Sequence, residues 1–509
     1  MKFLRVVCVL AMALCLTASV YAETQSVKVS GDLTIRGIWR DSYDYRGSTP
    51  ERNPSAPAVQ PRTGMTADTG VPGTPQSFWM STTEVQIDAD LTDNVATCIR
   101  ILNERDWNVQ RKVGPAGAAG GTTDVTSVFP NGLGGYNPNA DEFDIKLDLA
   151  YVALKNFIYS PLTVTIGRQD LWFGKGFIVG SNHVFNNWVT LGNSWGLNAP
   201  EYTATTAFDS VKAVLDYDPW TITGVYSQLW NNAVAVSDNV ELWGANVGYK
   251  FDSYKAEAEA YWFYKYDHSV EKWAAAAGNN DVSTIGLRGS VDPIDCITLA
   301  AEGAYQFGSY VGNRTQLQER DRSAWALDLS AEWRYLADRF SWKPKLGVEY
   351  ILYSGEEASA NPNLASGTYN GWDPMFRGKF DSAIREFVGS YYASYDYQGA
   401  ANRIPSTQDA SFTNQQQMIF SGSVQPIESL TLKGNANLFW TVEDYIRADN
   451  TTFNGGYIGT EFDLQAIWDY TEDVSFGLLC AWFMPYGSDI YYNADKVASD
   501  VVGTVKVSF

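Results

Sequence analysis

The sequence predicts a transmembrane antiparallel β-barrel of about 18 strands, with short turns at one end and long loops at the other. Three observations carry this. Apolar and polar residues alternate with a period of two from near Val27 to Phe509. After the first 22 residues there is no apolar run of the roughly 18 residues that a membrane-spanning helix needs. Yet aromatic residues make up 14% of the chain, with 18 Trp and 30 Tyr, which an interfacial girdle would use.

Lys2 and Arg5 precede an apolar stretch, VVCVLAMALCL, and Val20-Tyr21-Ala22 then supplies small residues before Glu23. This pattern predicts a secretory signal peptide over 1–22 and an exported barrel over 23–509. The apolar stretch, about 11 residues long, is too short to anchor the chain across a bilayer.

The alternation defines the strands. In VKVSGDLTIRGIW (27–39), Val27, Val29, Leu33, Ile35 and Trp39 share a face opposite Lys28, Ser30, Asp32, Thr34 and Arg36. In 84–91, Val85, Ile87, Ala89 and Leu91 oppose Glu84, Gln86, Asp88 and Asp90. In 143–155, Ile145, Leu147, Leu149 and Tyr151 alternate with Lys146 and Asp148. The same pattern places strands at 27–39, 78–91, 95–105, 143–155, 162–173, 208–217, 220–230, 240–251 and 253–266. It continues at 281–291, 296–308, 323–335, 343–354, 413–425, 429–441, 457–469, 473–484 and 499–509. Most reach the roughly 9–11 residues of a tilted membrane-crossing strand.

Short connections such as TDN, DP, DS, DPID, PIE and TED alternate with long ones at 40–77, 106–142, 174–207, 231–239, 267–280, 309–322, 355–412, 442–456 and 485–498. Tight periplasmic turns and long extracellular loops have this layout, and an even strand number returns both ends to the periplasmic side. The stretches 49–76 and 114–124, rich in Pro, Gly, Ala and Thr, fall in loops. The connection 355–412 is long enough to enter the barrel mouth as a plug or to cover it as a lid.

A Lys or Arg at mid-depth on a lipid-facing surface costs roughly 2–4 kcal/mol. The charged face of each strand is therefore the lumen, and the aliphatic face meets lipid. Parity turns Arg36, Arg100, Lys146, Arg288, Arg334 and Lys433 inward, together with many acids, among them Asp32, Glu84, Asp88, Asp90, Asp148, Glu257, Glu259, Glu302, Asp328, Glu349 and Asp463. Opposite charges on neighbouring strands would satisfy one another in the wall; basic residues gathered at one height would instead form an anion path. The final strand, VVGTVKVSF, is expected to pair with the first and close the barrel, with its lipid-facing valines outside and Lys506 inside. Its terminal Phe509 resembles the signal by which the outer-membrane assembly machinery recognises its substrates.

A net charge of −21 argues against a nucleic-acid partner. Cys98, Cys296 and Cys480 remain after the signal and form neither a disulfide framework nor a zinc pattern. The acidic run NADEFD (139–144) lacks EF-hand spacing, so no metal and no cofactor are expected. The two histidines, His183 and His268, lie in long loops without a neighbouring nucleophile, which argues against a barrel hydrolase.

Three stretches exceed simple alternation: TIGRQDLWFGKGFIVGSN (165–182), LGVEYILYSGEE (346–357) leading to GWDPMFRGKF (371–380), and GTEFDLQAIWDYTEDVSFGLLCAWFMPYG (459–487). Together they resemble the alginate-export family of outer-membrane porins. The resemblance implies a monomeric barrel, commonly of about 18 strands, with a charged constriction that passes acidic polysaccharide. It points to Arg168, the arginine of GRQ, and to Asp463 in the Gly-x-Glu-x-Asp strand as lumen residues. The parity of Arg168 follows Leu162, Val164 and Ile166 outward, so a bulge after Gly167 would be needed to turn it inward.

The expected function is a passive outer-membrane channel for anionic saccharides. A general small-solute porin and a structural or adhesive surface barrel are the alternatives. Expected partners are outer-membrane lipid and lipopolysaccharide, the assembly machinery through Phe509, and a small anionic solute or polysaccharide.

Overall fold

The computed structural model describes residues 26–42, 76–107, 145–182, 199–230, 240–267, 280–311, 319–334, 340–356, 367–387, 412–446, 452–453, 456–486 and 496–509. The expected signal peptide, the stretches 49–75 and 114–124, and both histidines lie outside these residues.

The strands are β1 (Ser26–Asp41), β2 (Gln76–Thr92), β3 (Val95–Asp106), β4 (Lys146–Leu154), β5 (Leu162–Gln169), β6 (Phe208–Tyr217), β7 (Trp220–Trp230), β8 (Val240–Phe251), β9 (Ala256–Asp267) and β10 (Val282–Ile294). Then come β11 (Ile297–Val311), β12 (Glu319–Arg334), β13 (Lys345–Tyr353), β14 (Gln415–Ile427), β15 (Leu430–Thr441), β16 (Tyr445–Ile446), β17 (Thr452–Phe453), β18 (Tyr457–Asp469), β19 (Val474–Pro485) and β20 (Ala498–Ser508). All but β16 and β17 join one 18-stranded antiparallel sheet, in which β1 pairs with both β2 and β20. The sheet is therefore closed. Strands β16 and β17 form a small separate hairpin.

Closure rests on the last strand. Strand β20 pairs with β1 from Ser508 opposite Asp32 to Ser499 opposite Asp41. The pairing ends in reciprocal backbone bonds between Gly31 and Phe509, each 2.9 Å. Lys506 faces inward, 3.3 Å from Asp32, and Phe509 is exposed on the outside.

The outer surface is apolar. Exposed Ile87, Ile99, Leu329 and Leu464 lie within its strands, and Val27 and Val29 at the start of β1. Trp39, Trp79, Trp243 and Trp325 stand exposed toward the long-loop ends of their strands. Tyr217, Trp220, Trp468 and Tyr470 stand exposed at the short-turn ends. Two aromatic girdles at the levels where headgroups meet hydrocarbon follow from this placement.

Two expectations need correction. First, the alternation of β4 does not run unbroken. Arg100 pairs with Leu149 and Ile101 with Leu147, so Asp148 is the extra residue of a bulge. Ile145 and Leu147 are 68% and 54% exposed, but Leu149 is 5% exposed and turns inward. There Leu149 and Tyr151 pack with Cys98 and Ala207. Second, β5 ends at Gln169 rather than Phe173. The chain leaves the wall there and turns into the barrel, burying Leu171, Phe177, Ile178 and Val179.

Gly31 is required by the seam. A Cβ at this position would lie 2.6 Å from the Phe509 ring and 2.7 Å from the Glu84 carbonyl oxygen. Gly503 has nothing within 4 Å of its Cβ direction. Gly31→Val is expected to cost about 1–3 kcal/mol by overpacking, while Gly503→Ala is tolerated. The fraction of folded, heat-modifiable protein along a urea series checks both.

Candidate functional site in the filled lumen

An 18-stranded barrel encloses more space than its own inward side chains fill. Here the chain itself occupies part of that space. Among the described residues, three inner segments do so: 170–182 after β5, 199–207 before β6, and 367–387 between β13 and β14. The expectation of a plug or a lid resolves in favour of an inner plug for the described part of 355–412.

Segments 170–182 and 367–387 run against each other. Gly180 and Ser181 donate backbone N–H groups to the Phe376 carbonyl at 2.7 and 2.9 Å. Phe376 donates to Ile178 at 2.9 Å, and Gly378 donates to Gly176 at 2.9 Å. A Cβ on Gly378 would lie 2.6 Å from the Gly180 carbonyl carbon, so both glycines are needed for this approach. The pair packs its apolar residues, Phe177, Val179, Trp372 and Phe376, on Phe208, Phe263, Ile351 and Tyr353 of the wall. The inward face of these strands is thus not purely polar, as parity suggested; where the plug lies against it, it is a packed core.

Charge docks the plug to the wall. Glu259 on β9, Arg288 on β10, Glu302 on β11 and Asp328 on β12 form one register-aligned row. Beyond it, Lys175 of the first inner segment lies 2.6 Å from Ser330, 3.4 Å from Glu349 and 3.6 Å from Asp328. Lys379 of the third inner segment reaches the same carboxylates, hydrogen-bonding Glu349 and lying 3.5 Å from Asp328. Asp373 accepts from Lys265 at 2.6 Å, and its backbone exchanges hydrogen bonds with the Gln306 amide at 2.7 and 2.8 Å. On β18, Glu461 accepts the backbone N–H groups of Ile384 and Arg385, both at 2.7 Å, and Asp463 accepts that of Ala383 at 3.2 Å.

Arg377 is the buried centre of the plug. Its guanidinium donates to Tyr353 and lies 3.1 Å from Asp381 and 3.7 Å from Glu386. It also sits 4.8 Å from the Phe412 ring centroid, within cation–π range. Burial, with Asp381 beside it, pushes the Glu386 carboxyl up to about 8, although Arg377 pulls the other way. Burial alone would raise Asp373 too, but Lys265 and Arg322 outweigh it and hold this carboxyl below the usual range. For Lys379, burial opposes the charge, and Asp381, Asp328 and Glu349 more than offset it, raising the ammonium above its ordinary value.

The second inner segment covers the opposite wall. Glu201 lies 3.0 Å from Arg40, and Glu104 accepts from Thr203 at 2.8 Å and from the Ala204 N–H at 2.6 Å.

The residues anticipated from sequence fall into this frame as follows. Arg36 bonds Thr82 at 3.1 Å, with its guanidinium 5.0 Å from the Tyr202 ring centroid. Arg100 lies 2.5 Å from Asp148 and 3.5 Å from Asp170. Lys146 stands in register with Leu102, beside Glu104. Arg288 is clasped by Glu257 at 2.7 Å and by Glu259. Arg334 lies 3.2 Å from Asp292 and 3.4 Å from Glu332. Lys433 lines a cavity together with Asp463. No bulge follows Gly167: Arg168 keeps the outward parity of Ile166, in register with the exposed Asp209 at 3.6 Å. Arg168 thus stands apart from the inward set. The plug residues Lys175, Asp373, Arg377 and Lys379 were not anticipated. Their signal was present, since FGKGF and FRGKF place apolar residues, glycines and cations inside loops.

The cavity measures about 470 Å³. It lies between residues 380–383 of the plug and the wall of β12–β15, β18 and β19, lined by Lys345, Ser421, Ser423, Lys433, Asn435 and Gln465 among others. Among the described residues, no cluster of His, Cys, Asp and Glu is arranged to hold a metal ion.

A family described as alginate export matches residues 39–503. No curated protein matches the chain. Among solved structures, Pseudomonas aeruginosa OccK7 (OpdD) is similar at 9% identity and a TM-score of 0.49, over 95% of this chain and 99% of that one. Acinetobacter baumannii OccAB4 is similar at 9% identity and a TM-score of 0.48, over 96% and 100%. Pseudomonas aeruginosa OpdQ is similar at 10% identity and a TM-score of 0.49, over 95% and 98%.

Removing Arg377 leaves Glu386 without its cation, Tyr353 without its donor and Asp381 with Lys379 alone at 3.3 Å, so Arg377→Leu is expected to cost roughly 1–3 kcal/mol of plug docking. Open-channel noise and mean conductance in planar bilayers should both rise. The pH dependence has two signs. The Asp373 contribution, from a lowered carboxyl, is complete above the ordinary aspartate value of 3.8 and is lost as pH falls through its folded pKa. The Glu386 contribution, from a raised carboxyl, is complete below 4.5 and is lost as pH rises to about 8. Conductance flicker should therefore increase from pH 5 to pH 9, by roughly the ionisation of one such group, and be flat in Glu386→Gln.

Proposed function

The chain belongs to the alginate-export family, and from that premise we propose that it is an outer-membrane channel passing solutes by passive diffusion, with anionic saccharides as its cargo. The observation that carries this reading is the polar cavity left beside the plug inside a closed barrel. At about 470 Å³ it is of the size that holds a small ligand. Its hydroxyl, amide and charged groups suit a hydroxylated solute that sheds part of its hydration at a constriction.

Most wall arginines support the channel indirectly. Arg100, Arg288 and Arg334 are each paired with carboxylates, so they contribute less net field to the lumen than their number suggests. That pairing also favours a second reading, a general small-solute porin with no polysaccharide role. The reading as a channel rather than a hydrolase is supported by the family, whose description is export.

Planar-bilayer recording separates the readings. The purified protein is expected to give steady unitary conductance, with block by oligouronate added to one chamber. Conductance without block, together with a cation-selective reversal potential, would leave the general porin. A folded protein that carries no current would sink both.

A further inference from the structure

Strand register brings a set of inward-facing residues to one level at the periplasmic end of the lumen. Arg334 on β12 lies opposite Lys345 on β13, and Lys345 opposite Ser423 on β14. Ser423 lies opposite Lys433 on β15, and Lys433 opposite Gln465 on β18. Two strand spacings, about 10 Å, separate Lys345 from Lys433. Both lysines are exposed, and both line the cavity under residues 380–383.

The charges around this cavity are unevenly compensated. Glu332 pairs with Arg334 at 3.4 Å. Asp381 lies 3.1 Å from Arg377 and 3.3 Å from Lys379. Asp463 accepts the Ala383 N–H. Every carboxylate lining the cavity is thus engaged. The Lys345 and Lys433 side chains, in contrast, make no ion pair or hydrogen bond with the described residues. On the β1–β2 wall the charges are largely paired, Asp32 with Lys506 at 3.3 Å and Glu84 with Arg100 at 3.9 Å, while Asp88 stands opposite Lys28. An anion in the periplasmic end of the lumen is drawn toward the two unpaired lysines, and low-dielectric walls strengthen that attraction.

We infer that Lys345 and Lys433 form a binding site for a small acidic solute at the periplasmic end of the channel. The lysines take the anionic group, and Ser421, Ser423 and Gln465 face its hydroxyls. Such a site admits the solute before it meets the plug. The inference deepens the channel reading and rests on it.

The test uses the whole protein in planar bilayers, first in a KCl gradient and then with potassium gluconate or, as a neutral counterpart, glucose. Lys345→Gln/Lys433→Gln should lower the chloride-to-potassium permeability ratio by about threefold or more and abolish interruption of the current by gluconate. Lys345→Arg/Lys433→Arg should keep both properties, which separates charge from packing. Lys255→Gln, which removes a charge paired with Asp295 in a periplasmic turn, should leave both unchanged. A double Gln variant with normal unitary conductance, an unchanged permeability ratio and unchanged gluconate interruption overturns the inference. Equal interruption by glucose and gluconate in the unsubstituted protein also overturns it, since the site would then not read charge. Absence of current in the unsubstituted, folded protein overturns the channel reading itself.

Discussion

Every backbone N–H and C=O within the hydrocarbon layer must find a partner in the chain, at a cost of several kcal/mol for each that does not. The β1–β20 seam is where this constraint is met last. Without it, two strand edges would face lipid. With it, each residue of the wall has one side toward lipid and one toward the lumen, and the period-two sequence follows. The close approach of Phe509 to Gly31 belongs to the same requirement, because a side chain at residue 31 would push the terminal ring off the seam.

Closure creates a second problem, which is the space inside. The inner segments answer it with two kinds of interaction. Aromatic and aliphatic residues from 170–182 and 367–387 pack on the wall as they would in a globular core. Lysines from both segments meet Asp328 and Glu349, so the wall carboxylates act as docking points. Burying these ions is unfavourable in itself, and their mutual attraction and hydrogen bonds offset it only when every member is paired. Arg377 illustrates the condition, held by Asp381, Glu386, Tyr353 and the Lys379 carbonyl. What the docking leaves over is the cavity beside the plug, and there the compensation stops at Lys345 and Lys433.

The wall was legible because its signal is local. Expected spans at 208–217, 220–230, 240–251 and 457–469 coincide with β6, β7, β8 and β18. Each is a run in which the neighbour two residues away decides the face. The bulge at Asp148 was not legible, since it is set by how β4 meets β3 rather than by the β4 sequence. The plug was half visible: FGKGF and FRGKF stand out within loops, but nothing in either names Asp328 or Glu349 as its partner.

By itself, then, the sequence determined the closed sheet, its strand number and the alternation of short and long connections. These depend on periodicity and turn length, which are properties of neighbouring residues. Tertiary structure alone decided which charges are spent on docking and which remain toward the lumen. Lys175 and Lys433 look alike in the sequence. One lies against Glu349 and the other lines the cavity without a partner, because compensation is settled between residues far apart in the chain and brought together only by the closed barrel.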